Sequence, residues 1–327
     1  MTDPRPGRSI EPHAELHPQA AAYLAGRRRG PMVVADDDRM RAIAAREATR
    51  SQLATVAGHG EDVFRVKDLR IKSFDGSVQA RLYRPGPQTP LPVLLYIHGG
   101  GWVSGDLETH DVVCRGLALR AAVAVLAVDY RRSPEHRYPA ALADCWTCAK
   151  WIFERGGEHG LDSSRFAVAG DSAGGNMATV LARWCYEREK PCRAQVLIYP
   201  ILDGRADSCS YRRFATGYGL TADAMRWYWN VYLGPGGPGE PTADVSPLQA
   251  PSLAGLAPAL IIACEFDPLH DEAIAYAGRL RDAGIEVDLI EAAGLVHGYF
   301  RMPGVFDRAH CSWDDCAAFL VEKLSSR

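Results

Sequence analysis

Gly170-Asp171-Ser172-Ala173-Gly174 stands between two segments of different periodicity, and that placement restricts the possible folds more than any other feature. Before it, Arg165-Phe166-Ala167-Val168-Ala169 is a short apolar run suited to a buried parallel strand. After it, Gly175 to Trp184 reads as a helix. A Gly-x-Ser-x-Gly at a strand-to-helix junction is a nucleophile elbow. The turn cramps the backbone of the serine, so the residues two before and two after it must lack bulk. Here both are glycine, Gly170 and Gly174. Such a pentapeptide alone occurs by chance; its weight comes from a motif upstream and two partners downstream.

The upstream motif is His98-Gly99-Gly100-Gly101-Trp102, directly after the strand-like Val93-Leu94-Leu95-Tyr96-Ile97. Three successive glycines leave backbone N–H groups unshielded and able to face an anion. Acyl transfer needs such donors, because the carbonyl oxygen becomes an oxyanion in the tetrahedral intermediate. A phosphate loop would carry Lys and then Ser or Thr after the glycines, and Trp102-Val103 stand there instead. A ligand-free glycine turn is the remaining alternative, and the elbow downstream favours the oxyanion reading.

A serine nucleophile needs a base, and the base needs an orienting acid; in a fold with this elbow they follow in the order acid, then histidine. Only His270, His297 and His310 lie beyond Ser172. His270 and His310 fall within or at the start of helical patterns and read as surface residues. His297 follows the strand-like Ile285 to Ile290 in Gly294-Leu295-Val296-His297-Gly298, at the carboxyl end of a strand, where open α/β sheets place their chemistry. The acid is read from Glu265-Phe266-Asp267-Pro268-Leu269, after the apolar strand Ala259 to Cys264. Asp267 precedes a proline, which biases it toward an extended backbone. Its rivals are Asp271, better suited to starting a helix, and Glu265, adjacent to the strand end.

With these residues in place the chain resembles the hormone-sensitive-lipase-like branch of the α/β-hydrolases, also called the bacterial family IV esterases. The resemblance runs from about Val93 to the end. It is carried by His98 to Trp102, Asp129-Tyr130-Arg131, Pro134-Glu135-His136-Arg137-Tyr138-Pro139-Ala140-Ala141, Gly170 to Asn176, Asp267-Pro268-Leu269 and His297-Gly298. It implies an α/β-hydrolase fold with a mostly parallel eight-stranded sheet, and oxyanion donors at the N–H groups of Gly100, Gly101 and Ala173. His98, Gly99, Gly170, Asp171 and Gly174 support those motifs, with Asp171 marking the larger subgroup of the branch. The resemblance also implies a helical cap from residues 1–57 and 203–250, over a core of 58–202 and 251–327. Short- to medium-chain carboxylic esters are the implied substrates. An amidase, a lactonase or an aryl- or carbamate-ester hydrolase would use the same triad. A small-molecule receptor is disfavoured because His297 is present.

The rest of the sequence agrees. Of 327 residues, 47% are hydrophobic and 24% charged, the profile of a globular enzyme. A net charge of -3 gives no nucleic-acid footprint, and Arg27-Arg28-Arg29 is balanced by Asp36-Asp37-Asp38. No window approaches a membrane span, and no leader is recognised in the polar opening residues. Nine cysteines, an odd and scattered set, argue against a secreted disulfide framework and for a cytoplasmic protein. Cys145-Trp146-Thr147-Cys148 has metal-site spacing, but no second pair completes four ligands; Cys311 and Cys316 read as small hydrophobes on the last helix. The reading needs no metal and no organic cofactor, takes a small-molecule ester as its partner, and leaves a homodimer open.

Residues 1–12 are expected to be disordered or lightly pinned. Helices are expected over 14–26 and 38–57, the second with Met40, Ile43, Ala44 and Leu53 on its apolar face. Asp75-Gly76 signals a hairpin between Arg65–Ser73 and Gln79–Tyr83. Strand and helix patterns then alternate, which predicts a mostly parallel sheet with helices on both faces. Between Asp203 and Pro251 the alternation stops, and Met225 to Tyr232 forms an aromatic helix suited either to packing or to lining a pocket. Phe214, Tyr218 and Trp102 carry the same ambiguity. Tyr130-Arg131 is read as support for the glycine loop.

Overall fold

A computed structural model describes residues 15–26, 37–235 and 242–325. Residues 1–12, the Arg27-Arg28-Arg29 run, Asp36 and most of the glycine-proline stretch 234–239 lie outside that set. Eight strands form one sheet: β1 (Arg65–Ser73), β2 (Gly76–Arg84), β3 (Leu91–Ile97), β4 (Ala124–Asp129), β5 (Leu161–Asp171), β6 (Ala194–Ile198), β7 (Ala259–Phe266) and β8 (Val287–Val296). Their order is β1-β2-β4-β3-β5-β6-β7-β8. The hairpin partners β1 and β2 are antiparallel, β2 runs antiparallel to β4, and every pairing from β4 to β8 is parallel.

The helices are α1 (Pro18–Gly26), α2 (Asp38–Val56), α3 (Asp111–Ala121), α4 (Ala140–Arg155), α5 (Ala173–Glu187), α6 (Cys209–Arg213), α7 (Ala222–Leu233), α8 (His270–Asp282) and α9 (Asp307–Leu324). Strand residues alternate between two cores, as a period of two requires. On β3, Val93, Leu95 and Ile97 join the core beneath α4, α5 and α8, while Leu94 and Tyr96 join the one beneath α3 and α9. Both faces of β3 are thus covered, which explains its unbroken apolar sequence. Among the described residues, no helix is long and apolar enough to cross a membrane.

Two expectations need correction. On α2, Leu53 is buried, but Met40 and Ile43 are 55% and 46% exposed, and Ala42 is buried instead. The inward stripe is Ala42, Ala45, Arg46, Thr49 and Leu53, at helical spacing. This helix lies over a cavity and polar loops, so small and hydrogen-bonding residues face inward. On α9, Cys316 is buried but Cys311 is exposed. Five residues of helix separate them by roughly 140°, so they cannot share one face.

Candidate active site

The carboxyl ends of β3, β5, β7 and β8 converge on one loop cluster. β5 ends at Asp171 and α5 begins at Ala173, leaving Ser172 alone at the turn with φ 57 and ψ -119. Ser172 is the N-cap of α5, yet its hydroxyl caps nothing. It lies 2.9 Å from His297 Nε2. The elbow closes because Gly174 has no side chain: a Cβ there would lie 1.9 Å from the Ile97 carbonyl oxygen. Gly170, across the same turn, faces the Gly174 carbonyl.

His297 is the first residue after β8, and Asp267 the first after β7. His297 Nδ1 donates to Asp267 Oδ2 at 2.6 Å. That bond fixes the tautomer, leaving Nε2 to accept from the Ser172 hydroxyl. Asp267 is fully buried, and its other oxygen accepts from the Leu269 N–H at 3.0 Å. The Tyr199 ring rests 4.5 Å from the imidazole and restricts its swing. The rival acids are engaged elsewhere: Asp271 accepts from the Ser210 N–H and Glu265 from the Gly294 N–H. His270 is partly buried between Asp271 and Glu291, and His310 is exposed beside Trp313.

The glycine loop turns back over the elbow. Gly99 N–H donates to Asp171 Oδ1 at 2.9 Å, and the Gly100 carbonyl accepts from Val103 and Ser104 N–H. The N–H groups of Gly100, Gly101 and Ala173 donate to no acceptor among the described residues. Gly101 adopts φ +61, and a Cβ there would strike the Tyr228 ring at 2.3 Å. Behind the loop lies a buried polar cluster. Asp171 Oδ1 also accepts from the Tyr96 hydroxyl at 3.0 Å and lies 3.2 Å from His110 Nε2. Burial pushes the Asp171 carboxyl upward, but His110, Arg301 and the Tyr96 hydroxyl together hold it below the usual carboxylate range. His98 stacks on Tyr130 at 4.2 Å and donates from Nδ1 to the Gly99 carbonyl. Burial, reinforced by nearby His110, drives the His98 pKa down to about 3.

Tyr130 supports the loop as expected, its hydroxyl donating to the His98 carbonyl at 2.9 Å. Arg131 does not; it pairs with Asp144 on α4. Trp102 is buried, stacked on Tyr232 at 4.3 Å and packed on Trp229, so these three rings are core. Phe214 and Tyr218 pack with Phe266. The Cys145 and Cys148 thiols are both buried in α4, and among the described residues no cluster of three or more His, Cys, Asp or Glu could hold a metal.

A cavity of about 280 Å³ opens above Ser172 and His297. Its walls include Tyr23 of α1, the Ala45, Ala48, Thr49 and Gln52 stripe of α2, and Met225 and Tyr228 of α7. The aromatic helix therefore divides its labour, Tyr228 facing the cavity and Trp229 the core. Chain order sets His110 aside, yet it is a member of the cluster behind the glycine loop. Arg301 also lines the cavity and carries no local motif.

Comparison with known proteins gives the same picture. Residues 94–301 match the family model described as alpha/beta hydrolase fold. The chain is 38% identical to an ethyl acetate hydrolase of Pseudomonas putida, over 94% of this chain and 98% of that protein. It is 41% identical to the esterase LipI of Mycobacterium tuberculosis, covering 75% and 78% of the two chains. The crystal structure of a thermostable esterase from Pseudomonas putida superposes with a TM-score of 0.88 at 32% identity, covering 96% of this chain and 99% of that one. A serine at a strand-to-helix elbow, a glycine loop beside it and a match spanning most of the chain have one common reading: the protein belongs to the α/β-hydrolase family, in its hormone-sensitive-lipase-like branch.

Proposed function

We propose that this chain hydrolyses carboxylic esters with short to medium acyl chains, through an acyl-enzyme formed on Ser172. The observation that carries this reading is the unbroken relay from Asp267 through His297 to Ser172, at 2.6 and 2.9 Å. His297 Nε2 takes the hydroxyl proton as Ser172 Oγ attacks the ester carbonyl, and Asp267 stabilises the imidazolium. The oxyanion is received by the N–H groups of Gly100, Gly101 and Ala173, each worth roughly 3 kcal/mol of barrier by analogy with donor deletions elsewhere. His297 then protonates the departing alcohol, and water repeats the sequence on the acyl-enzyme. The reading uses no metal or organic cofactor. A cavity of about 280 Å³ suits small esters.

In this reading residues 1–57 and 203–250 form a cap whose inner wall is α1, α2 and α7. A cytoplasmic location is part of the same reading, supported by nine free thiols. Ser172→Ala should lower kcat on p-nitrophenyl butyrate by about a million-fold with the fold intact. A fluorophosphonate probe should add its mass to Ser172 alone. Labelling of another serine, or retained turnover in the variant, would overturn the assignment.

A further inference from the structure

Arg301 is the one arginine among the described residues lining the catalytic cavity. It ends the short 3-10 turn Tyr299–Arg301, four residues beyond His297. Its Nε and Nη1 atoms are buried and have no hydrogen-bond partner among the described residues. Partly buried arginines elsewhere have acids at hand: Arg46 has Glu135, Arg81 has Asp68, Arg131 has Asp144 and Arg183 has Asp244. Asp171 feels the charge of Arg301, and no hydrogen bond joins the two among the described residues. The Asp171 carboxylate is already taken by the Gly99 N–H, the Tyr96 hydroxyl and His110.

A buried cation without a hydrogen-bonded counter-charge is destabilising. It is stabilised when a ligand supplies that charge, and the planar guanidinium fork matches a carboxylate better than any other common group. Arg301 lines the same cavity as Ser172 and His297, the space where an ester must sit to reach the serine. We propose that Arg301 anchors esters bearing a carboxylate within reach of the scissile bond and so determines specificity for anionic esters. The proposal rests on the Ser172 reading, since it names the substrate class for that same site.

The carboxylate could belong to the acid or to the alcohol half of the ester, and two substrate pairs separate these. Monomethyl succinate carries it on the acid side, with methyl 4-oxopentanoate as its neutral isostere. Acetoxyacetate carries it on the alcohol side, with acetoxyacetone as the isostere. The readout is the ratio of kcat/KM, anionic over neutral, within each pair. The wild type should exceed one in at least one pair. Arg301→Met, which keeps the apolar stem, should lower that ratio by about 10- to 100-fold, chiefly through KM, the scale of a charge-assisted hydrogen-bonded pair. Arg301→Lys should recover part of it. Turnover of the neutral ester verifies triad and fold in each variant. A ratio unchanged by Arg301→Met in both pairs overturns the proposal. Where neither variant turns over the neutral ester, the wild-type ratio decides, and a value of one or below in both pairs overturns it. Hydrolysis of all four esters by Ser172→Ala would instead overturn the Ser172 reading.

Discussion

Ser172 holds an uncommon backbone conformation, at φ 57 and ψ -119, that costs about 1–3 kcal/mol. Its neighbours enforce it: Ser172 N–H donates to the Ile198 carbonyl at 2.8 Å, and its own carbonyl accepts from Asn176 and Ile201. The glycine loop is held by a different means, a cluster of buried polar groups that includes His98 and Asp171. His98, at about 3 against an ordinary 6.5, stays neutral in the fold over a range where the unfolded chain binds a proton. Stability from this residue is therefore lost as pH falls from 6.5 toward 3, by at most about 1.4 kcal/mol per pH unit. His98→Phe, which keeps the stack on Tyr130, should flatten that slope. Urea unfolding at pH 6.5, 5.5 and 4.5 measures it, and an unchanged slope would show that His98 is not the group responsible. Ser172, Asp267 and His297 are readable in sequence because each stands on a loop directly after a strand and the chain order is fixed. His110 and Arg301 are not, because their environments are assembled from β5, the glycine loop and α2, far apart in sequence.

At the scale of elements, α2 is fastened to the body by several side chains, among which Arg46 makes the most hydrogen bonds. Arg46 donates from Nε to the Val103 carbonyl at 2.8 Å and from Nη2 to the Ser133 carbonyl at 2.9 Å, and it grips both oxygens of Glu135. Trp227 of α7 adds a hydrogen bond to Asp38 and a face to Arg41, joining the two helices above the cavity. The sequence pattern located α2 within a residue of its ends but misjudged its inner face. Hydrophobic periodicity assumes an apolar floor, whereas α2 presses on the loop carbonyls of Val103 and Ser133 and on a cavity. Arg46→Met should destabilise the fold by about 1–3 kcal/mol, because three loop acceptors lose a charged donor. Glu135 is held down to about 2 by Arg46. The pair therefore contributes fully above the ordinary carboxylate value of 4.5 and is lost as pH falls toward 2. The difference in Tm between wild type and variant should shrink between pH 5 and pH 3. A difference constant over that range would mean that Arg46 acts through the carbonyls alone.

Across the whole molecule, the sheet delivers the reacting groups and the helices above it set the room around them. The alternation of strand and helix is legible in the sequence because the central parallel strands carry apolar runs, such as Val93–Ile97, Phe166–Ala169 and Ala259–Cys264. The roof is not, because its contacts join residues near the start of the chain to loops near its end. α1 shows this: His17 N–H donates to the Gly294 carbonyl at 2.9 Å, Gln19 bonds to Asp307, and Tyr23 packs edge-on against Phe306 at 5.4 Å. It thereby docks on the end of β8 that leads into His297 while offering Tyr23 to the cavity. Removing residues 1–37 would delete α1 and Tyr23 but leave α2 in place. Esters long enough to touch that wall should suffer most, since each lost methylene contact is worth up to about 0.8 kcal/mol. Two or three such contacts would lower kcat/KM for hexanoyl and octanoyl esters, relative to acetyl, by about ten-fold or more. The measurement is kcat/KM for acetyl, butyryl, hexanoyl and octanoyl p-nitrophenyl esters on full-length and truncated protein, each verified as folded by circular dichroism. A common fall in all four would make α1 a brace for the His297 loop rather than a wall of the substrate pocket.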